Sequence, residues 1–210
     1  MDMGNPLTTV IQTMDGPALG VLAGTTAPLT GRQVHRLAGH GSERGIRDAL
    51  NRLARTGLVT ATVVGGSIQY TLNRDHLAAN AVLELVSLRQ RLIEHLRGTI
   101  AAWPISPTHA SLFGSTARGD GNLDSDIDLL IVYDPDPTAD HQAAWEEQLS
   151  DLGEETRRRT GNWVQLYEID TSGLIDHLAA DEPIVRGWTR DAITLHGPSI
   201  RTVIHRAAFR

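Results

Sequence analysis

Two carboxylates one residue apart, Asp126 and Asp128, stand at the head of an apolar run, Leu129-Leu130-Ile131-Val132. Ten residues separate them from Gly114-Ser115, which follows another apolar pair, Leu112-Phe113. Residues two apart in a strand share a face, so both carboxylates point the same way. Side by side at the start of a buried strand, they repel each other and are costly to desolvate. A divalent cation makes such a pair favourable, and hard oxygen ligands suit Mg²⁺. Gly114 permits close backbone approach. Ser115 offers a hydroxyl and an N–H at a predicted helix start, a seat for a phosphate.

Together the segment reads SLFGSTARGDGNLDSDIDLLIVY, from Ser111 to Tyr133. It resembles the signature of the polymerase-β-type nucleotidyltransferase superfamily, and its flanking residues resemble the minimal branch of that family. The match joins a strand, a Gly-Ser turn, a spacing, a paired acid and a second strand. The alternative is a βαβ-like unit whose Asp pair caps a strand end. The resemblance covers roughly residues 108–197. It implies Mg²⁺ on Asp126 and Asp128, with Gly114 and Ser115 at the phosphates of a nucleoside triphosphate, ATP above all. Arg118, one turn into the helix, would stabilise charge on the triphosphate. The acceptor hydroxyl in such families belongs to a small molecule, an RNA end or a protein.

One position departs from the pattern. The family places a third acid on strand three, facing the metal. In the alternating segment Trp163 to Ile169 the matching residue is Gln165, and a neutral amide is neither a base nor a strong ligand. Glu168 lies three residues on, which points to the opposite face of a regular strand. A bulge would turn it back, so Glu168 stands as a catalytic candidate beside Asp126 and Asp128.

The elements that must position these residues suit an α+β protein. The chain has 210 residues, 40% apolar and 21% charged, enough for one large or two small domains. There is no cysteine, which excludes disulfides and thiolate metal sites and fits a reducing cytoplasm. No secretory pattern opens the chain, and no apolar run approaches a membrane span. All 19 basic residues are arginine, a composition bias. Residues 1–75 carry seven Arg against five acids, the remainder twelve against twenty. The acidic remainder fits a metal site better than an extended nucleic-acid surface.

Residues 1–75 read as three short helices and a hairpin: one starting at Asp15-Gly16-Pro17 with Asp15 as its cap and ending at Gly24, one over 31–38, and one capped by Ser42 over 43–55. Strands over 58–64 and 67–72 then flank Gly65-Gly66. This order is similar to a winged helix-turn-helix, with the third helix for the major groove of duplex DNA. Arg44, Arg47, Asn51 and Arg52 are its outward candidates for phosphates and base edges. Glu43, Asp48 and a hairpin tip without arginine favour an interaction or dimerisation module instead.

From Asn73 to about Trp103, Val82, Leu85, Leu88, Leu92, Leu96 and Ile100 give one apolar stripe. A connecting helix over 76–103 would dock the domains or pair with a second copy as a homodimer. Beyond Thr108 the expectations are a turn at 134–137, a helix over 138–159, strand three, two closing helices, a last short strand, and a loosely held tail over 198–210. Arg157-Arg158-Arg159 end the long helix, where they offset its dipole or meet nucleotide phosphates or an RNA acceptor. Two functions follow. One is a DNA-tethered nucleotidyltransferase, of the kind found in toxin–antitoxin pairs. The other is a regulator whose nucleotidyltransferase fold senses a nucleotide or a partner without turnover.

Overall fold

The computed structural model describes residues 1–134 and 138–208, so most of the turn expected at 134–137 lies outside the described residues. The chain forms two compact units, one of Gly4–Leu88 with Asp2, the other of Arg89–Arg210 with Met1 and Met3.

In the first unit a short 3-10 helix (Pro6–Thr9) precedes α1 (Asp15–Ala23), β1 (Leu29–Thr30), α2 (Gly31–Ala38) and α3 (Glu43–Arg55). Then come β2 (Val59–Val64), β3 (Ser67–Leu72) and α4 (Ala79–Val86). Local chemistry sets these boundaries. Thr30 and Gln33 form a reciprocal capping box on α2, and the Ser42 hydroxyl accepts the Gly45 N–H at the start of α3. Gly65 and Gly66 both hold positive φ in the two-residue hairpin turn, as a primed turn demands. The strands form an antiparallel sheet in the order β1-β3-β2. Leu19, Leu22, Val34, Ile46, Leu50 and Tyr70 fill the core between helices and sheet. Asp15 is not the cap of α1 but its first residue, with Met14 before it; the carboxylate is engaged elsewhere, by Arg52.

The expected connecting helix is two helices. It is interrupted at Ser87, whose hydroxyl donates to the Glu84 carbonyl at 2.8 Å, the acceptor a continuing helix would offer to Leu88. The stripe is divided with it. Val82 lies in the core of the first unit, and Leu92, Leu96 and Ile100 in that of the second.

The second unit runs α5 (Leu88–Ala101), β4 (His109–Phe113), α6 (Gly114–Arg118), β5 (Ile127–Tyr133), α7 (Ala139–Thr160) and β6 (Val164–Asp170). α8 (Thr171–Ala179), α9 (Pro183–Asp191), β7 (Ile193–His196) and α10 (Ile200–Ala208) complete it. Its mixed sheet has the order β6-β5-β4-β7. β5 and β6 are parallel, and β4 is antiparallel to both β5 and β7. Strand alternation sorts the side chains of β5 between two layers. Leu129 and Ile131 meet Leu92, Leu96 and Trp145 from α5 and α7. Leu130 and Val132 meet Leu174, Trp188, Ile200 and Val203 from α8, α9 and α10. The expected loose tail is therefore a helix as far as it is described: Ile200, Val203 and Ala207 are buried. Their i, i+3, i+7 spacing puts them on one face, a periodicity too short to stand out beside polar neighbours. Met3 packs in the first of these two layers.

Candidate active site

The turn from β4 into α6 is built around Gly114. Its φ is +70°, and a Cβ there would overlap Oδ2 of Asp128, so both the backbone conformation and the space require glycine. The next residue, Ser115, is half-buried, and its carbonyl accepts the N–H groups of Gly119 and Asp120 at 2.9 and 3.1 Å. Arg89 secures the other end of α6: Nε donates to the Thr116 carbonyl at 2.7 Å and a terminal nitrogen donates to that of Ala117. A cation at the carbonyl end of a helix is favourable. Nothing in the sequence marked Arg89 for this role, because its contact lies 27 residues along the chain.

Asp126 and Asp128 enter on the same side of β5, Asp126 exposed and Asp128 half-buried. Burial pushes the Asp128 carboxyl up from its ordinary value, the Asp126 charge pushes it further, and Arg118 opposes both. An anionic pair held this way is under-compensated, and a divalent cation would supply what Arg118 does not. The oxygen donors fit such an ion, and Gly114 leaves room for the Asp128 carboxylate that would hold it. Among the described residues no group of three or more His, Asp or Glu is placed to hold a metal, because the third position is an amide. Asp128 pairs with Gln165 in the parallel register of β5 and β6.

That register runs without interruption from Ile127↔Val164 to Tyr133↔Asp170. No bulge turns Glu168 toward the aspartates. It stands beside Ile131 on the opposite face, where its carboxylate accepts the Trp145 indole N–H at 2.6 Å and the Tyr133 hydroxyl. Glu168 is thus a partner of the α7 layer and is not brought to the aspartate pair.

Arg118 is exposed beside the turn but already engaged. Its Nε donates to Asp120 and a terminal nitrogen to Asp191, both at 3.0 Å. Asp191, with a side chain 6% exposed, also accepts from Arg190; chiefly through Arg190, then Arg118, its carboxyl is lowered to about 2. Asp191 gave no sequence signal, since the link is made by α9 folding back onto α6.

Residues 93–202 match the sequence profile of the nucleotidyltransferase domain family. The chain belongs to that family. Comparison with curated protein sequences returned no match. The matched stretch begins within α5 and ends in the first turn of α10. Nucleotidyl transfer from a nucleoside triphosphate is the chemistry of the domain, and such domains generally use divalent metals. No helix among the described residues is long and apolar enough to cross a membrane.

Outside the nucleotidyltransferase domain, α3 carries the four residues expected at DNA. Arg44, Arg47 and Asn51 are exposed and follow i, i+3, i+7 spacing, hence one face. Arg44 lies 3.8 Å from Asp48, a loose surface pair, while Asn51 accepts the Tyr70 hydroxyl at 3.4 Å. Arg52 donates to both carboxylate oxygens of Asp15, at 3.0 and 3.1 Å, and ties α3 to α1.

Proposed function

We propose that this protein is a slow, Mg²⁺-dependent nucleotidyltransferase that takes a nucleoside monophosphate from ATP to a hydroxyl acceptor, and that its first unit is a winged helix-turn-helix module that contacts duplex DNA. The observation that carries the enzyme reading is the fit of Gly114 against Asp128: the turn that would seat phosphates is folded onto a carboxylate of the paired acid. Asp126 and Asp128 would hold Mg²⁺. When bound, the ion would neutralise charge on the triphosphate and favour departure of pyrophosphate.

The chain's own groups do the rest. The Ser115 hydroxyl and neighbouring N–H groups orient the outer phosphates, and Arg118 offers its charge from the side of α6. Gln165 can orient an acceptor hydroxyl by hydrogen bonding but cannot take its proton. General-base help of that kind is worth about 10²–10⁴ in rate, hence slow transfer. The same amide favours a second reading, in which the fold binds nucleotide as a sensor and does not turn it over.

For the first unit, support comes from the order of helices and strands, the β1-β3-β2 sheet and the outward row on α3. Arg47 and Arg44 are its candidates for phosphate contact, with Asn51 for a base edge.

Calorimetry tests the enzyme reading. Mg²⁺-dependent ATP binding should be present in the wild type and lost in the Asp126→Asn/Asp128→Asn variant. Equal, metal-independent binding by both would refute it. Labelled ATP then separates the two readings: transfer to a protein, RNA or small-molecule acceptor identifies an enzyme, and binding without transfer a sensor.

A further inference from the structure

Trp163 sits where β6 begins, beside the aspartate pair. Its carbonyl accepts the Ile127 N–H at 2.8 Å, and the next pair along is Ile127↔Val164. Trp163 and Asp126 are therefore neighbours across two strands, about 5 Å apart at the backbone. The indole does not enter the core. It is 60% exposed, whereas Trp103, Trp145 and Trp188 are all buried. One ring face is covered: the Arg157 guanidinium carbon lies 3.2 Å from the ring centroid, a cation–π contact that fixes the indole in place. Arg158 is exposed on the same last turn of α7, and Arg159 is held by Glu155 at 2.8 Å.

A large apolar ring left in water costs free energy that burial would recover. An exposed aromatic surface backed by arginine, on the strand next to a candidate phosphate site, is suited to planar, anionic ligands. We infer that Trp163, clamped by Arg157, is a stacking platform for a nucleobase next to Asp126, and so a specificity-determining residue of the transfer reaction. The inference rests on the nucleotidyltransferase reading of this site. The base belongs either to the donor nucleotide or to the terminal residue of a single-stranded RNA acceptor, and each source has its own arm in the test.

The probes are α,β-methylene ATP with Mg²⁺, a riboadenylate hexamer, and inorganic triphosphate with Mg²⁺, each titrated into full-length protein. Because Trp163 alone among the four tryptophans is exposed, stacking should quench wild-type emission, and Trp163→Phe should remove that change. Trp163→Ala should weaken the stacking probe by about 5- to 150-fold, the range for one base on one aromatic ring. Trp163→Phe should restore most of the affinity, and triphosphate binding should be unaffected by either variant.

Quenching by the ATP analogue assigns the base to the donor; quenching by the hexamer assigns it to the acceptor. Equal binding of both base-bearing probes by wild type and Trp163→Ala overturns the proposal. So does an equal loss of triphosphate binding, which would make Trp163 structural. The Asp126→Asn/Asp128→Asn variant keeps the two failures apart. If it loses the analogue while Trp163→Ala does not, the site stands and the platform falls. A wild type that binds neither probe refutes both.

Discussion

Asp128 stands directly across from Gln165, in unbroken parallel register between the two strands that carry the candidate chemistry. A carboxylate partly withdrawn from water is thus faced by a neutral amide at the position from which a third acid would reach the same ion. Replacing Gln165 by Glu or Asp should raise turnover with labelled ATP by up to about 10²-fold, with little change in ATP affinity, since general-base help is worth that much or more. Glu168→Ala should leave turnover unchanged. It should cost about 1–3 kcal/mol of stability in denaturant, because Trp145 and Tyr133 lose their acceptor. Loss of activity in Glu168→Ala at unchanged stability would mean that Glu168 reaches the site.

The metal-free protein should be more stable as Asp128→Asn than as wild type. The folded-state pKa of Asp128 is raised, chiefly by burial and then by Asp126. Its contribution to stability is full below the unfolded carboxyl value near 3.8 and is lost as pH rises through the folded value, so at pH 7 the ionised group is a burden. The variant should melt a few degrees higher in chelator. Millimolar Mg²⁺ should stabilise the wild type and not the variant. A lower melting point for Asp128→Asn in chelator would contradict this.

His109 should make the second unit acid-sensitive. The side chain is wholly buried, within 2.7 Å of the Pro198 carbonyl and 2.9 Å of the Ser111 hydroxyl. Burial lowers its pKa, partly offset by the Pro198 bond. The unfolded chain therefore takes up the proton first: stability is full above about 6.5 and falls as pH drops toward the folded value. Urea unfolding followed between pH 7.5 and 5 should show that loss. His109→Gln should be less stable at pH 7.5 yet show a flatter pH dependence. An unchanged slope in His109→Gln would assign the acid sensitivity elsewhere.

On α3 the arginines should separate by partner. Arg47→Ala should weaken binding to duplex DNA from the protein's own promoter and lower the magnitude of the salt slope by about one unit. Arg52→Ala should act through stability, since its guanidinium is held by Asp15; a partly buried pair of this kind is worth about 1 kcal/mol. Unaltered DNA binding in an Arg44→Ala/Arg47→Ala variant would make the unit an interaction module.

What could be read from the sequence followed from local rules. Thr30, Ser42, Gly65 and Gly66 mark boundaries with their own backbone chemistry, and Gly114 with the aspartate pair carries its geometry in its spacing. The placement of Gln165 followed from strand parity together with the family resemblance. Contacts made over long chain distances were not legible. Arg89 at the end of α6 and Asp191 on Arg118 depend on how α5 and α9 pack, and no periodicity announces them. The break at Ser87 was hidden because the apolar stripe continues across it. The break falls at Ser87, while the pattern on either side serves two different cores.

Met3 in the core of the second unit has a consequence for the order in which the protein is assembled. Topologically, Gly4–Leu88 is an insertion: the chain touches the second unit, leaves to build the first, and returns at Arg89. During synthesis the first unit can close as soon as Val86 has emerged, since its core is drawn from residues before that point. The second cannot. Met3 packs with Leu92, Trp145 and Leu152, and it docks only after a closed loop of more than eighty residues is drawn in. Loop-closure entropy rises only slowly with length, so that late closure is thermodynamically cheap, but it makes the transferase the last part of the chain to become competent.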